Sequence, residues 1–258
     1  MSHITHKRII AAAAVPAVAA ATLIGAASSA SAAIGPRAYT TDSAGYGMAH
    51  AQFGTVQFRY VRDTVYLRPP ARFAAIDDGV SWETHLAGTD AKGQPVEVDV
   101  NVGGDPQTQG GYHAWADVNG QPLTGVGSTA FPAGHSVTET IYYDRATGTV
   151  RVTANDGSGD SYVAFAPVGT VSFGQASVYG GFDPGSSFTA PAAPVKLGSF
   201  SNFSVTTGSG HRGTLARWYA HNKVFATSDG TASGAMRAEP SNLSDRGSAF
   251  SVFFEPAS

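Results

Sequence analysis

Acidic and amide side chains alternate with valine along one segment of the chain. In Val96–Val102 every second residue is valine, and Glu97, Asp99 and Asn101 lie between them. Successive side chains of a β-strand point to opposite faces, so this pattern predicts a strand with one apolar and one polar face. Two carboxylates on one strand face can differ in pKa, which allows one to act as an acid and the other as a base. The segment indicates either a functional groove or an ordinary solvated sheet face.

A second segment repeats the pattern. Tyr112–Val118 places His113, Trp115 and Asp117 on one strand face and small or apolar residues on the other. A tryptophan flanked by polar residues on one sheet face is typical of a ligand platform rather than of a core. A third alternating segment, Ser81–Leu86, adds Glu83 and His85 to the polar set.

Other chemistries find little support in the sequence. The chain has no cysteine, which rules out a cysteine nucleophile or a thiolate metal site. No two histidines have zinc-ligand spacing, and there is no Gly-x-Ser-x-Gly elbow, although a Ser/His/Asp triad assembled in space stays open. A formal net charge of −3 gives no case for nucleic acid. We expect no metal and no cofactor.

The beginning of the chain predicts export. A basic start precedes the apolar run Ile9–Ala27, and Ala30–Ala32 is a small-x-small cleavage site, so residues 1–32 are interpreted as a secretory signal peptide. A membrane anchor is the alternative, which Pro16 and the cleavage site disfavour. The mature chain would begin with a mobile segment at 33–43, and we expect a secreted, extracellular bacterial protein with no membrane attachment.

Short segments rich in Val, Thr, Phe and Tyr, separated by Gly, Pro, Asn and Asp, predict an all-β fold. Residues 44–258 are expected to form one two-sheet antiparallel jelly-roll sandwich, with a C-terminal extension from about residue 211 that holds a short helix or an extended arm. Gly180–Pro194 is predicted to be a long loop. The expected strands are Gly54–Tyr60, Asp63–Leu67, Val80–Ala87, Val96–Val102, Gly111–Val118, Ser136–Asp144, Thr149–Asn155, Ser161–Ala166, Val171–Tyr179, Val195–Thr206, Lys223–Thr227 and Ala249–Phe254.

Several of these segments, taken in order, resemble the eqolisin family of secreted glutamic peptidases. Tyr112–Asp117 is similar to the family's Tyr-Asp-Ala-Trp-Tyr-Glu strand, and Leu197–Phe203 resembles its Ala-Asp-Phe-Gly-x-Val-x-Phe ending. Ser43–Tyr46 and Phe53–Phe58 resemble its opening strand, and Ala133–Val137 its Ala-Gly-Asp-x-Ile strand. The resemblance implies a concanavalin A-like sandwich with a polar concave face.

The catalytic pair of that family is not retained. Eqolisins use a Gln and a Glu, and these positions correspond to Glu97 and Ser177 in this chain. Gln175 lies two residues before Ser177 and faces the same way. An exchanged pair of Glu97 and Gln175 is therefore an open alternative.

The function predicted from the sequence is an extracellular hydrolase that acts on peptide or glycan by carboxylate chemistry, as a monomer. A non-catalytic carbohydrate- or peptide-binding module and a structural envelope protein are the alternatives. The predicted catalytic residues are Glu97, Asp117 and Gln175, and the predicted substrate contacts are Glu83, Asp99, His113, Trp115 and Tyr179.

Overall fold

A computed structural model describes residues 43–49, 57–68, 80–104, 111–127, 129–159, 161–182, 195–216, 221–226 and 236–256. Within these ranges the regular structure is β-strand apart from a 3₁₀ turn at Asp245–Gly247. The predicted signal peptide lies outside the described residues, as does the predicted 180–194 loop from residue 183 onward. Residues 180–182 belong to a strand, so the loop prediction is wrong at its beginning. No helix in the described ranges is long and apolar enough to span a membrane.

Seventeen strands are present in the described part of the chain. They are β1 (Ser43–Ala49), β2 (Phe58–Tyr66), β3 (Val80–Asp90), β4 (Pro95–Gly104), β5 (Tyr112–Val118), β6 (Gln121–Pro122), β7 (Gly125–Gly127), β8 (Ala130–Phe131), β9 (Ser136–Asp144), β10 (Thr149–Asn155), β11 (Ser161–Pro167), β12 (Val171–Phe182), β13 (Val195–Thr207), β14 (Arg212–Gly213), β15 (His221–Ala226), β16 (Met236–Pro240) and β17 (Phe250–Pro256).

The strands form two antiparallel sheets. The first runs β15-β1-β12-β3-β4-β5-β6, with β8 paired to β5, and the second runs β16-β17-β13-β2-β9-β10-β11-β7, with β14 paired to β13. The two sheets share one hydrophobic core, so the predicted all-β two-sheet sandwich is confirmed. The chain after residue 211 supplies strands to both sheets, and the alternative of a helix at 214–224 is wrong where that segment is described.

The apolar side chains of the alternating segments face the core, as their sequences predict. Val96, Val98, Val100 and Val102 are all buried on the inner side of β4. Trp82 of β3 is completely buried and meets Tyr112 edge-on, with ring centroids 5.3 Å apart. Burying each large apolar side chain stabilises the sandwich by about 1.5–3 kcal/mol. Their burial on one side of the sheet leaves the polar residues between them on its outer side.

Two strand predictions need correction. The segments predicted at 54–60 and 63–67 are joined in the single strand β2, which begins at Phe58 within the described residues. Ser43–Tyr46, which resembles the family's opening strand, begins β1, and the full length of β1 forms a ladder with β12. Gly45 allows this pairing, because a Cβ at that position would lie 1.8 Å from the Val178 carbonyl oxygen.

Two carboxyl groups lie in the core between the sheets. Asp63 of β2 and Glu139 of β9 face each other across their ladder, and both are completely buried. The buried hydroxyl of Thr84, which comes from β3 in the opposite sheet, contacts Asp63 Oδ1 and lies 2.9 Å from Glu139 Oε2. A hydroxyl has one proton to donate, so hydrogen bonds to both carboxyls require that one of the two be protonated.

Candidate functional site

The outer side of the first sheet presents polar side chains in two register rows. One row crosses β12, β3, β4 and β5 and contains Ser177, His85, Asp99 and Asp117, each opposite the next. The adjacent row contains, in the same strand order, Tyr179, Glu83, Asn101 and Trp115. The name "acidic face" refers below to these two rows together with Glu97 and Gln175.

A chain of three carboxyl groups runs across the middle of the acidic face. The carboxyl of Asp99 faces that of Asp117 across the β4–β5 ladder, and Glu83 lies on the neighbouring strand one row away, so that the three carboxyl groups interact closely enough for hydrogen bonds between them. Two ionised carboxylates cannot share a hydrogen bond, since each is only an acceptor, so protons must bridge them. The trio therefore stores at least one proton when these contacts form.

The environment explains why these protons are retained. Burial raises the pKa of Glu83 well above its usual range, and the negative charge of Asp99 raises it further. Burial likewise raises the pKa of Asp99 well above its usual range, and the charge of Asp117 adds to the effect. Asp117 Oδ1 accepts a hydrogen bond from the Gly120 backbone N–H at 2.9 Å, which fixes the position of that carboxyl.

An imidazole connects the trio to a serine. His85 Nδ1 lies 2.9 Å from Ser177 Oγ, and His85 Nε2 lies 3.7 Å from Asp99 Oδ1. Tyr179 flanks Ser177 on the same face of β12, and burial raises the pKa of Tyr179, which keeps its proton in place. The side chains of His85 and Asp99 are each 16% exposed, so the arrangement is shielded from bulk water without being sealed.

Some of the predicted site residues lie in the two central rows of the acidic face, and the others lie beside these rows. Asp99, Asp117, Glu83, Trp115 and Tyr179 come together in the two central rows. His113 lies on the same face but opposite Gly103, one row beyond Trp115. Their roles as catalytic or contact residues stay predictions.

Glu97 and Gln175 lie on the other side of the centre. Each faces Ala87 of β3, one from β4 and the other from β12, so one strand separates them. At a spacing of about 4.8 Å between strands, their Cα atoms are roughly 9.6 Å apart. The exchanged pair therefore requires both side chains to reach towards each other over Ala87, and it stays a prediction.

Three residues of the two central rows, Asn101, His85 and Ser177, are not among the predicted site residues. The sequence places Asn101 and His85 on alternating strands and aligns Ser177 with the family's glutamate, without predicting a role for any of them. The alternation Glu83-x-His85 and the spacing Gln175-x-Ser177 indicated the right face. Only strand register, which alternation does not specify, brings His85 between Ser177 and Asp99. Among the described residues, no group of three or more His, Asp or Glu side chains is arranged to hold a metal ion.

Comparison with known proteins gives structural likenesses at low identity. No protein-family model and no curated protein matches the chain. It is similar to the crystal structure of scytalido-glutamic peptidase with a transition-state analog inhibitor (13% identity, 82% of this chain and 97% of that chain, TM-score 0.48). It is also similar to lectin II from Ulex europaeus (11% identity, 86% and 85% covered, TM-score 0.36) and to peanut lectin with a 9mer peptide (11% identity, 84% and 83% covered, TM-score 0.32). Because fold does not determine function, statements about chemistry depend on the side chains of this chain.

Proposed function

We propose that this protein is a secreted, eqolisin-like hydrolase that lacks the usual Gln/Glu pair and cleaves its substrate by acid–base catalysis on the acidic face. The observation that supports it is the clustering of Glu83, Asp99 and Asp117 on one face of the sheet, where burial and their mutual charges raise the pKa values of Glu83 and Asp99. Perturbed carboxyl groups that share a proton on an accessible face are the arrangement expected of catalytic acids and bases. On a fully solvated sheet face, water would stabilise the ionised carboxylates, and their pKa values would not be raised in this way.

The trio supplies both proton transfers that hydrolysis requires. The ionised member of the trio accepts a proton from the attacking water, and a protonated member donates one to the leaving group. Glu83 is suited to the second role, because burial and the charge of Asp99 both keep it protonated. Asp117, held by the Gly120 backbone N–H, is suited to the first.

The spacing favours peptide over glycan as the substrate. Glycosidases keep their two carboxyl groups about 5 to 9.5 Å apart, so that a sugar or a water fits between them. Directly hydrogen-bonded carboxyls that share a proton are instead the arrangement found in aspartic peptidases. Glycan hydrolysis would need a more distant pair, such as one that includes Glu97.

A non-catalytic binding module is the second candidate, and the row of Tyr179, Glu83, Asn101 and Trp115 favours it. An aromatic side chain stands at each end of this row with polar groups between them. Aromatic rings provide stacking surface, and the groups between them fix orientation by hydrogen bonds. The same row would serve as a substrate platform in the hydrolase.

The test is an assay of the purified chain from residue 33 onward, at pH 3–7, on casein and on a panel of glycans. We expect cleavage of casein that is strongest at acid pH, because the trio must hold protons. Asp99→Asn and Glu83→Gln should each lower kcat by about 10²-fold or more. Asp245→Asn replaces an exposed carboxyl in the connection between two strands of the second sheet and is the matched control.

The assay also separates the alternatives. Binding to a glycan or peptide without turnover at any pH would contradict the hydrolase and favour the binding module. Casein cleavage that survives Asp99→Asn and Glu83→Gln would remove the trio from the mechanism. Activity that survives Glu97→Gln would remove Glu97.

A further inference from the structure

Ser177, His85 and Asp99 stand in line on three neighbouring strands. Ser177 faces His85 across the β12–β3 ladder, and His85 faces Asp99 across the β3–β4 ladder. One ring nitrogen of His85 is 2.9 Å from the serine Oγ, and the other is 3.7 Å from a carboxylate oxygen. A nucleophile within hydrogen-bond reach of a base, with the base directed by a third group, is the general signature of an activated serine.

One oxygen of Asp99 points towards His85. Asp99 Oδ1 is buried, accepts no hydrogen bond from an N–H or a hydroxyl group in the described part of the chain, and is the atom that faces His85 Nε2. Buried acceptors without a partner are costly, so an approach of less than 1 Å between the two groups would form a favoured hydrogen bond. Catalytic hydrogen bonds are often long in the absence of substrate and tighten when it binds.

We propose that Ser177, rather than a water activated by Asp117, is the attacking nucleophile on the acidic face, with His85 as its general base and Asp99 as the residue that orients His85. The inference depends on the proposed hydrolase and narrows its substrates to acyl compounds, namely peptides or carboxylic esters. Glycosides are excluded as substrates of this step, because serine attack on a carbonyl carbon is acyl transfer.

The step balances within these residues. Ser177 Oγ forms a bond to the carbonyl carbon while its proton passes to His85 Nδ1. The carbon–nitrogen or carbon–oxygen bond to the leaving group then breaks, and the leaving group takes that proton. A water molecule next attacks the acyl-serine and gives a proton to His85, and the carboxylic acid product leaves as Ser177 recovers its proton.

Flanking groups can stabilise the negative charge that forms on the carbonyl oxygen. Mid-strand backbone N–H groups lie in the plane of the sheet and are used by the ladders, so side chains must supply the donors. Tyr179 and Gln175 flank Ser177 at two residues on either side and share its face. Burial raises the pKa of Tyr179, so its hydroxyl keeps the proton that it would donate.

The test is covalent labelling of the chain from residue 33 onward with an alkyl fluorophosphonate, followed by intact mass measurement and peptide mapping. We expect one adduct, on Ser177, formed slowly because this residue is only 5% exposed. His85→Ala should abolish labelling, and Asp99→Asn should slow it by about 10²-fold or more. Ser81 lies on the same face of β3, and Ser81→Ala is the matched control that should label at the parental rate.

The outcomes distinguish this inference from the proposed function. An adduct on Ser177 supports the inference even if no substrate is turned over, a result that would count against the hydrolase alone. Casein cleavage that persists in Ser177→Ala, with no adduct on Ser177 in the parent, would overturn the inference and leave the hydrolase standing. The parent's own adduct decides the matter if Ser177→Ala does not fold.

Discussion

Replacing Asp63 by Asn and Glu139 by Gln removes both ionisable groups from the interior of the sandwich and should flatten the dependence of its stability on pH. Burial raises the pKa of Asp63 from 3.8 to about 7, and it raises the pKa of Glu139 well above its usual range. Arg62 is the cation whose charge lowers the pKa of Asp63, while Glu83, from the opposite sheet, raises that of Glu139. The effect of burial on the pKa of Asp63 is larger than the opposite effect of the Arg62 charge.

The direction follows from proton binding. Since the folded-state pKa of each acid lies above its unfolded value, the folded protein binds more protons between the two values than the unfolded chain does. The stabilisation is fully present below about pH 4 and is lost as the pH rises through the folded pKa, which for Asp63 is about 7. The sandwich should therefore be most stable in acid and weaken towards neutrality.

The expected loss of stability between pH 4 and pH 8 is a large fraction of the free energy of unfolding of a typical domain. A shift of about 3 pH units at 1.36 kcal/mol per unit corresponds to about 4 kcal/mol for Asp63, and Glu139 acts in the same direction. Typical domains are stable by only 5–15 kcal/mol. Urea unfolding between pH 4 and pH 8, followed by the fluorescence of buried Trp82, would measure this loss.

The readout is the slope of the unfolding free energy against pH rather than its level. Asp63→Asn/Glu139→Gln leaves an amide N–H unpartnered and is expected to be about 1–3 kcal/mol less stable than the parent at pH 4. Its stability should fall less steeply above that pH. Asp245→Asn is the control, because it leaves Asp63 and Glu139 in place, and it should keep the parental slope. Equal slopes in the parent and the double variant would refute the reasoning.

Two further substitutions test the packing and the platform. Gly198→Ala should destabilise the sandwich by about 1–3 kcal/mol in urea unfolding, because an added Cβ would lie 2.1 Å from Nε1 of the fully buried Trp82. Gly174→Ala is the control and should destabilise the sandwich less, because no atom lies within 4 Å of a Cβ added there. Trp115→Ala should leave the melting temperature nearly unchanged, because this side chain is only partly buried, and should raise KM for casein roughly 2- to 10-fold through lost stacking. An unchanged KM would remove Trp115 from the platform.

Alternation specified the faces of the strands but not their partners. The Val96–Val102 pattern correctly placed Glu97, Asp99 and Asn101 on the outer side of β4, because burying valine on one side forces this result. Which acid meets which depends on register, which is set by turns and by distant strands. The sequence therefore identified an acidic face, while the pairing of His85 with Asp99 required the three-dimensional structure.

The two interior carboxyl groups, Asp63 and Glu139, occupy strand positions at which the alternation predicts an apolar side chain. Glu139 occupies the inward phase of Val137, Ile141 and Tyr143, all of which are buried. Asp63 does the same between Val61 and Val65 on β2. An acid in the apolar phase of a strand predicts a buried carboxyl, but not that a second one will lie opposite it.

The two acid clusters lie on opposite sides of β3 and influence each other through it. Thr84 points inward to Asp63 and Glu139, and its neighbours Glu83 and His85 point outward to Asp99. The charge of Glu83 raises the pKa of Glu139, so ionisation on the acidic face makes ionisation of the core more costly. The raised pKa values in both clusters mean that their carboxyl groups are protonated in acid. The conditions that keep the proposed catalytic acid protonated are therefore those in which the fold is most stable, which is the combination expected of a protein that works in an acidic medium.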